Sequence, residues 1–182
     1  MTEGKLQPLQ TVLLNIDMQH FFVEGSPDGH LVMERINRLA KTCRRAGIII
    51  IHTIASFQPN VPNVQEAITL HPGLTVTSND LVFEKCHFSA FHDSALETIL
   101  HARGIDTIII TGIRTNVCCL VTAWDAIARG FKLFFLRDGT ATKQMGGVAP
   151  EILQMATCAT FDHLFGNVIT VEQMIERIEM SN

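Results

Sequence analysis

Short apolar runs alternate with amphipathic stretches along most of the chain. Short runs rich in branched side chains are typical of strands that are covered on both faces. The runs that predict strands are Thr11–Asp17, Gly47–His52, Leu81–Lys85, Thr107–Thr111 and Phe131–Leu136, with a shorter one around Val168. The stretches whose apolar spacing predicts helices are Leu31–Ala46, His92–Ala102, Thr115–Arg129 and Val171–Glu179.

This alternation predicts the fold class. Apolar strands separated by helices indicate an α/β fold, in which helices cover both faces of a parallel sheet. No internal repeat or interdomain linker is visible, so we expect residues 1–182 to form a single Rossmann-like domain with about five to six strands. The segment Gln58–Asn79 contains three prolines and little periodicity, which predicts a long surface loop that helps to wall a pocket.

Composition and charge narrow the class of protein. The net charge is −4 and the 14 lysines and arginines are scattered, so we expect no nucleic-acid partner. No apolar run is long enough for a membrane span. Five cysteines without metal-ligand spacing predict neither a disulfide framework nor a structural zinc site, and they favour a cytoplasmic location. Cys43, Cys86 and Cys158 are interpreted as small buried hydrophobic residues.

Three reactive side chains follow strands of the predicted sheet. Asp17 ends the first strand, Lys85 ends the third, and Cys118 follows the fourth after a short loop. In an open parallel sheet the binding crevice lies outside the carboxyl ends of the strands, so these three residues are expected at one edge. From spacing alone, a functional role and ordinary capping, solvation or packing are about equally good explanations.

Cys118 gains support from its place at the predicted start of a helix. Thr115 is the expected N-cap, which puts Cys118 in the first turn. The helix dipole and a nearby lysine would favour a thiolate there, and the free amides would hold a developing oxyanion. Cys119 lies about 100° further round the helix and is interpreted as a core residue.

Three segments, in order, resemble the isochorismatase-like hydrolases. Their sequences are Asp17-Met-Gln-His-Phe-Phe22, Lys85-Cys-His-Phe-Ser-Ala-Phe91 and Gly112-Ile-Arg-Thr-Asn-Val-Cys118, which resemble the family patterns D-x-Q-x-x-F, K-x-x-x-S-A-F and G-x-x-T-x-x-C. Each segment alone is a weak signal. Together they extend over almost the whole chain, and on them the protein is identified as a member of this family.

The resemblance implies a Cys-Asp-Lys triad. Asp17 would take the proton of Cys118, the thiolate would attack an amide-type carbonyl, and Lys85 would stabilise the charged states. The backbone amides of Arg114 and Cys118 would form the oxyanion hole, next to a cis peptide between Ile113 and Arg114. The implied reaction is hydrolysis of a C–N bond in a small amide, carbamoyl or ureido compound through a thioester.

The chain departs from the family pattern at positions that bear on metal binding and on the substrate. Nicotinamidases of this family bind a metal through an Asp-x-His pair after the second strand, where this chain has Ala55 and Phe57. We therefore expect no catalytic metal and no cofactor, and we disfavour nicotinamide as the substrate. His52 is interpreted as a buried structural histidine. Isochorismatases proper lack the nucleophilic cysteine, so Cys118 argues against their ether-cleaving reaction.

Several assignments stay open at this stage. Phe22, Phe57 and Asn116 are candidate substrate-binding residues, and Asn116 resembles members that open carbamoyl, ureido or biuret groups. The side chain of Arg114 either binds a substrate carboxylate or faces a neighbouring subunit, and the second role is preferred. A homodimer or a larger homo-oligomer is expected. The alternatives to the amide hydrolase are a non-catalytic binding protein on the same fold and an isochorismatase-type hydrolase with another bond specificity.

Overall fold

Strands and helices alternate through the computed structural model, which describes residues 5–56 and 69–181. The strands are β1 (Thr11–Ile16), β2 (Ile49–Ala55), β3 (Leu81–Lys85), β4 (Thr107–Ile113), β5 (Lys132–Ala141) and β6 (Val168–Ile169). The helices are α1 (His20–Glu24), α2 (Gly29–Arg45), α3 (Leu96–Ala102), α4 (Leu120–Ala128), α5 (Pro150–Phe165) and α6 (Val171–Glu179). A π-helical turn, Thr115–Cys119, leads into α4.

The six strands form one parallel sheet in the order β3-β2-β1-β4-β5-β6. This confirms the predicted α/β class with its parallel sheet. The chain moves outward from β1 to β3 and then returns to pair β4 with β1, so the order reverses between β1 and β4. Such a reversal opens a crevice at the carboxyl ends of the central strands, which is where ligands bind in open α/β sheets.

Alternate residues along the central strands enter two separate cores. One face carries Leu13, Ile50 and Ile109, which pack with residues of α2 and α6. The opposite face carries Leu14, Ile51 and Ile110, which pack with residues of α3, α4 and α5. Because both faces are covered by helices, the central strands are buried along their length, and this explains their continuous apolar sequence.

One row of polar side chains crosses the sheet inside this apolar core. Asn15 on β1 accepts a hydrogen bond from Thr111 on β4 and contacts His52 Nδ1 on β2 at 3.2 Å. His52 Nε2 lies 3.5 Å from Asp80, and Arg44 also pairs with that carboxylate. Burial lowers the pKa of His52, so the imidazole is neutral. His52 is therefore the buried structural histidine that the sequence indicated.

Several element boundaries differ from the predicted ones. The helix predicted from His92 begins only at Leu96, because Asp93 has a left-handed backbone (φ 49°) and the Ser94 hydroxyl accepts the Leu96 amide. The short helix α1 was not predicted, since five residues are too few to show a helical period. Strands β2, β4 and β5 each extend further toward the crevice than their predicted runs, because pairing continues beyond them: residues 53–55 of β2 pair with β3, and residues 112–113 of β4 pair with residues 140–141 of β5.

The buried state predicted for three cysteines holds for only one of them. Cys43 is buried, Cys158 is partly buried, and Cys86 is exposed with its sulfur 3.6 Å from the Ser56 hydroxyl. The prediction for Cys86 was wrong because the residue follows the end of β3 rather than lying inside the sheet. Within the described ranges, none of the helices combines the length and the apolar character needed to cross a bilayer.

We expect Gly112→Ala to be far more damaging than the same change at Gly104. Gly112 has φ 120°, and a Cβ there would lie 2.1 Å from the Ile16 carbonyl oxygen on β1. Gly104 also has a positive φ of 66°, but a Cβ there would meet nothing within 4 Å. Gly104→Ala should lower the free energy of unfolding by about 1–2 kcal/mol from backbone strain alone. Gly112→Ala should cost more than about 3 kcal/mol or abolish folding.

Urea unfolding of both variants, followed by circular dichroism, measures the difference. Equal losses of stability in the two variants would contradict the close approach of β4 to the end of β1.

Candidate active site

Asp17, Lys85 and Cys118 meet at the carboxyl edge of the sheet. Asp17 directly follows β1 with a left-handed backbone (φ 50°), which turns the chain out of the strand. Lys85 ends β3, which is separated from β1 by β2, and its side chain crosses the intervening strand. Its Nζ lies 2.8 Å from Asp17 Oδ2, and both side chains are fully buried. The structure therefore brings together the residues that the sequence placed at strand ends.

The Lys85 ammonium is held on several sides. Besides Asp17, its Nζ donates to the carbonyl oxygens of His87 at 3.0 Å and Phe88 at 3.3 Å. An ammonium group carries three N–H donors, and these three oxygens match that number. A fully buried charge is tolerated only when it is paired and hydrogen-bonded in this way. The segment that follows β3 thus serves to fix the lysine.

Thr53 orients the Asp17 carboxylate. Its hydroxyl donates to Asp17 Oδ1 at 2.6 Å and accepts the Asp17 backbone amide at 3.1 Å. Burial raises the pKa of Asp17, whereas Lys85, Thr53 and Cys118 oppose that rise by stabilising the carboxylate. A carboxylate whose proton affinity is raised is a better acceptor for a thiol proton than an exposed aspartate.

Cys118 contacts both members of this pair. Its thiol is 6% exposed and interacts with Asp17 and with Lys85. Burial, followed by the negative charge of Asp17, raises the pKa of Cys118 to about 12, and Lys85 offsets this only in part. This environment opposes the thiolate that the sequence indicated, because desolvation outweighs the lysine and the helix start. The raised pKa favours a neutral thiol beside the ion pair.

The turn that carries the cysteine also differs from the prediction. Thr115 is not the N-cap of a regular helix: its hydroxyl donates to Gln154 on α5, and the chain passes through a π-helical turn before α4 begins. A π-turn is rare and is frequently found at functional sites. Here the wider turn places Cys118 on the crevice side, while Cys119 is fully buried in the core as predicted.

The residues expected to form an oxyanion hole lie at the start of this turn. The Ile113–Arg114 peptide is cis, as the family resemblance implies. The Arg114 carbonyl accepts the amides of Val117 at 3.2 Å and Cys119 at 3.1 Å, and the Cys118 amide is not part of this pair. Amides at the start of a helical segment lack intrahelical acceptors, so they are suited to bind an anion.

The three candidate substrate-binding residues have different surroundings. Phe22 is buried beneath the Arg114 guanidinium, whose Cζ lies 5.5 Å from the ring centroid. Asn116 is bound to the segment after β5, since its Oδ1 accepts the Thr142 hydroxyl at 2.6 Å. Phe57 and residues 58–68 of the predicted loop lie outside the described residues. Substrate binding by these residues stays a prediction.

Two polar residues of the site were missed by the sequence reasoning. One is Thr53, whose strand reads as an ordinary apolar run. The other is Gln19, whose amide pairs with both backbone groups of Ala55, accepting its N–H at 2.7 Å and donating to its oxygen at 3.2 Å. The sequence signal for Gln19 was its spacing from Asp17 in the D-x-Q pattern. Thr53 gave no comparable signal.

Two clusters in the described ranges have ligand atoms close enough to hold a metal. They are His20, Glu24 and His71, and the exposed group His87, His92 and Asp93. In the first cluster His71 Nδ1 accepts the Gly73 amide at 2.9 Å, so Nε2 carries the proton and donates toward Glu24. The family metal position falls on Ala55, whose side chain offers no ligand. The absence of a catalytic metal stays a prediction.

Comparison with known proteins identifies the family of this chain. A model of the isochorismatase domain matches residues 11–173. The chain belongs to the isochorismatase domain family. A solved structure described as a cysteine hydrolase from Pseudomonas syringae pv. phaseolicola superposes with a TM-score of 0.85 at 27% identity, and the match covers 100% of both chains.

Curated relatives of this isochorismatase-family chain differ in the activities that they are named for. Nicotinamidase 3 of Arabidopsis thaliana is 42% identical over 147 residues, which cover 71% of this chain and 72% of the relative. Ureidoacrylate amidohydrolase of Methylobacterium radiotolerans is 29% identical, with 91% of this chain and 78% of the relative covered. Other curated relatives are matched over only about half of their length, 54% and 49% in two cases.

We expect alkylation of Cys118 by iodoacetamide to be slow at neutral pH and to accelerate steeply with pH. Only the thiolate reacts, and below a pKa of about 12 its fraction rises about tenfold for each pH unit. The rate should be followed by peptide mass spectrometry in a Cys86→Ser background, since the exposed Cys86 would otherwise consume reagent. A fast, pH-independent rate between pH 6 and 8 would show that Cys118 is a thiolate at rest.

Proposed function

We propose that this protein is a cysteine-dependent hydrolase that cleaves a C–N bond in a small amide, carbamoyl or ureido compound. The observation that carries the proposal is the buried Asp17–Lys85 ion pair in contact with the Cys118 thiol. The buried site thereby contains a nucleophile (Cys118), a base (Asp17) and a cation that balances the charge (Lys85), in contact with one another. The position of the cysteine at the start of a helical turn supplies the amides for an oxyanion hole.

The first half of the reaction forms a thioester. Asp17 takes the proton from Cys118 as the sulfur attacks the carbonyl carbon of the substrate. The amides of Arg114 and Cys118 stabilise the oxyanion of the tetrahedral intermediate. When the C–N bond breaks, Asp17 returns the proton to the leaving nitrogen, which departs as ammonia or an amine, and the acyl group stays on Cys118.

The second half releases the acid. Asp17 takes a proton from a water molecule, and the resulting hydroxide attacks the thioester carbonyl. The C–S bond breaks, the proton returns to the Cys118 sulfur, and the carboxylic acid leaves. Lys85 stays protonated throughout, because its ammonium compensates in turn for the carboxylate, the thiolate and the oxyanion. The raised pKa of Cys118 is consistent with this scheme, since the thiol needs to ionise only while substrate is bound.

The two alternative functions account for less of the geometry. A protein that only binds a ligand does not need a fully buried ion pair, which is weak evidence for stability and is often no better than apolar residues of similar volume. An isochorismatase-type reaction on another bond leaves the contact between Cys118 and Asp17 without a role. The similarity to ureidoacrylate amidohydrolase supports the C–N class.

Nicotinamide is a candidate substrate in addition to ureido and carbamoyl compounds. The sequence argued against nicotinamide because Ala55 replaces a metal ligand, yet one relative at 42% identity is named a nicotinamidase. Nicotinamide therefore belongs in any substrate panel beside ureido and carbamoyl compounds.

We also propose that the chain forms a homodimer or a larger homo-oligomer. Apolar side chains are exposed on α4 and α5, with Trp124 41% and Met155 67% exposed. A symmetric partner would cover such a face. Light scattering should give a mass that is a multiple of the 20.2 kDa chain, and a single-chain mass at micromolar concentration would contradict this. Five free cysteines are compatible with the cytoplasmic location, which cell fractionation tests.

We expect Cys118→Ala to abolish hydrolysis, with a loss of about 10³-fold or more in kcat. Asp17→Asn should be nearly as damaging, because the carboxylate moves the proton in both halves of the reaction. Ammonia release from a panel of small amides and ureides measures the effect. Electrospray mass spectrometry of quenched wild-type protein should show an acyl adduct on Cys118.

Cys119→Ala is the matched control, since it removes the neighbouring sulfur from the core without touching the ion pair. It should keep activity within about threefold while losing some stability. Full activity in Cys118→Ala, or an equal loss in both variants, would refute the cysteine mechanism.

A further inference from the structure

The Arg114 side chain is partly buried and has no carboxylate partner among the described residues. Five other arginines form ion pairs with carboxylates: Arg35, Arg38, Arg44, Arg45 and Arg129. Arg114 forms none with any residue in 5–56 or 69–181, and its Nη1 is buried without a hydrogen-bond partner. Its cation lies over the ring of Phe22, with Cζ 5.5 Å from the ring centroid.

A guanidinium nitrogen that is buried without a partner is unfavourable for the protein by itself. Burial lowers the pKa of Arg114. Arginine stays protonated nonetheless, so the buried Nη1 side of this cation is desolvated without a compensating acceptor. Groups of this kind are found where a ligand supplies the missing partner.

The Arg114 cation lies close to the proposed reaction centre. Its backbone amide belongs to the proposed oxyanion hole, four residues before Cys118, and its side chain lies over Phe22, which follows Asp17 on α1. Lys143 is exposed and close enough for the Arg114 charge to lower its pKa, so a second cation lies near Arg114. A molecule bound to Cys118 would therefore lie close to the Arg114 cation.

We propose that Arg114 binds a carboxylate on the substrate, so that the substrates are amides or ureides that carry a carboxylate at the end remote from the scissile bond. The planar guanidinium presents paired N–H donors that match a carboxylate. Lys143 strengthens the attraction from the solvent side. That the bound carboxylate belongs to a substrate rests on the proposed hydrolase function. The existence of a carboxylate site rests on Arg114 itself.

The competing role for Arg114 is a contact with a neighbouring subunit. A guanidinium that serves an interface would point away from the nucleophile. The Arg114 cation instead lies over Phe22, a residue of the segment that follows Asp17. The structure therefore favours the carboxylate role over the interface role that the sequence preferred.

The test compares matched pairs of compounds in wild type and Arg114→Gln. The pairs are succinamate with succinamide, and N-carbamoylglycine with N-carbamoylglycinamide, in which a neutral carboxamide replaces the carboxylate. Wild type should prefer at least one acid over its neutral partner by about tenfold or more in kcat/KM. In Arg114→Gln, kcat/KM should fall about 10- to 100-fold more on the acids than on the neutral compounds. Arg114→Lys, which keeps the charge but not the fork, should be intermediate.

A binding experiment separates this inference from the enzymatic proposal. Calorimetric titration of Cys118→Ala with the same compounds requires no turnover, and the double variant Cys118→Ala/Arg114→Gln should bind the acids at least tenfold more weakly. Arg114-dependent binding without any wild-type hydrolysis would overturn the proposed function and keep the carboxylate site. Hydrolysis with no preference for acids, or no Arg114-dependent binding of any acid, would overturn the carboxylate site.

Two further measurements test whether the effects of Arg114→Gln arise from a loss of stability or from a change in net charge. Arg114→Gln should melt no lower than wild type, because the replaced cation has no ion pair to lose. Arg103→Gln removes an exposed cation near the opposite edge of the sheet and should leave the preference for acids unchanged. A change in oligomeric mass in Arg114→Gln, with the preference for acids intact, would favour the subunit role and overturn the proposal.

Discussion

The ion pair between Asp17 and Lys85 is the constraint on which the site depends. Both side chains are fully buried, and removing either partner would leave an uncompensated charge in the interior, at a cost of about 3–5 kcal/mol. Such a pair can exist only if its geometry is fixed from several directions. Thr53 fixes the carboxylate, and the carbonyl oxygens of His87 and Phe88 fix the ammonium.

The strand order of the sheet determines which residues surround the ion pair. Because β2 lies between β1 and β3, the lysine must reach across one strand to the aspartate, and the intervening strand contributes Thr53 at the crossing point. The reversal of order between β1 and β4 then places the cysteine-bearing turn on the other side of Asp17. The carboxylate is thus central, with a cation on one side and a thiol on the other.

Burial changes the proton affinity of the ionisable groups around this centre, with a different effect on the function of each group. Desolvation raises the pKa of both Asp17 and Cys118, which keeps the thiol protonated while making the carboxylate a better base. Lys85 is compensated by surrounding oxygens, whereas Nη1 of Arg114 is buried without such a partner. The protein therefore contains one satisfied cation that stabilises the site and one unsatisfied cation whose partner we propose to be the ligand.

The sequence by itself determined the α/β class, most strands, and the presence of Asp17, Lys85 and Cys118 at strand or loop ends. Apolar periodicity reports burial directly, and the carboxyl ends of parallel strands meet at one edge. Tertiary structure alone decided the protonation of Cys118, the π-helical turn with its Thr115–Gln154 contact, and the roles of Thr53 and Gln19. These features arise between segments distant in the chain, and desolvation depends on everything that surrounds a group. For the same reason no local pattern could show that Nη1 of Arg114 is buried without a hydrogen-bond partner.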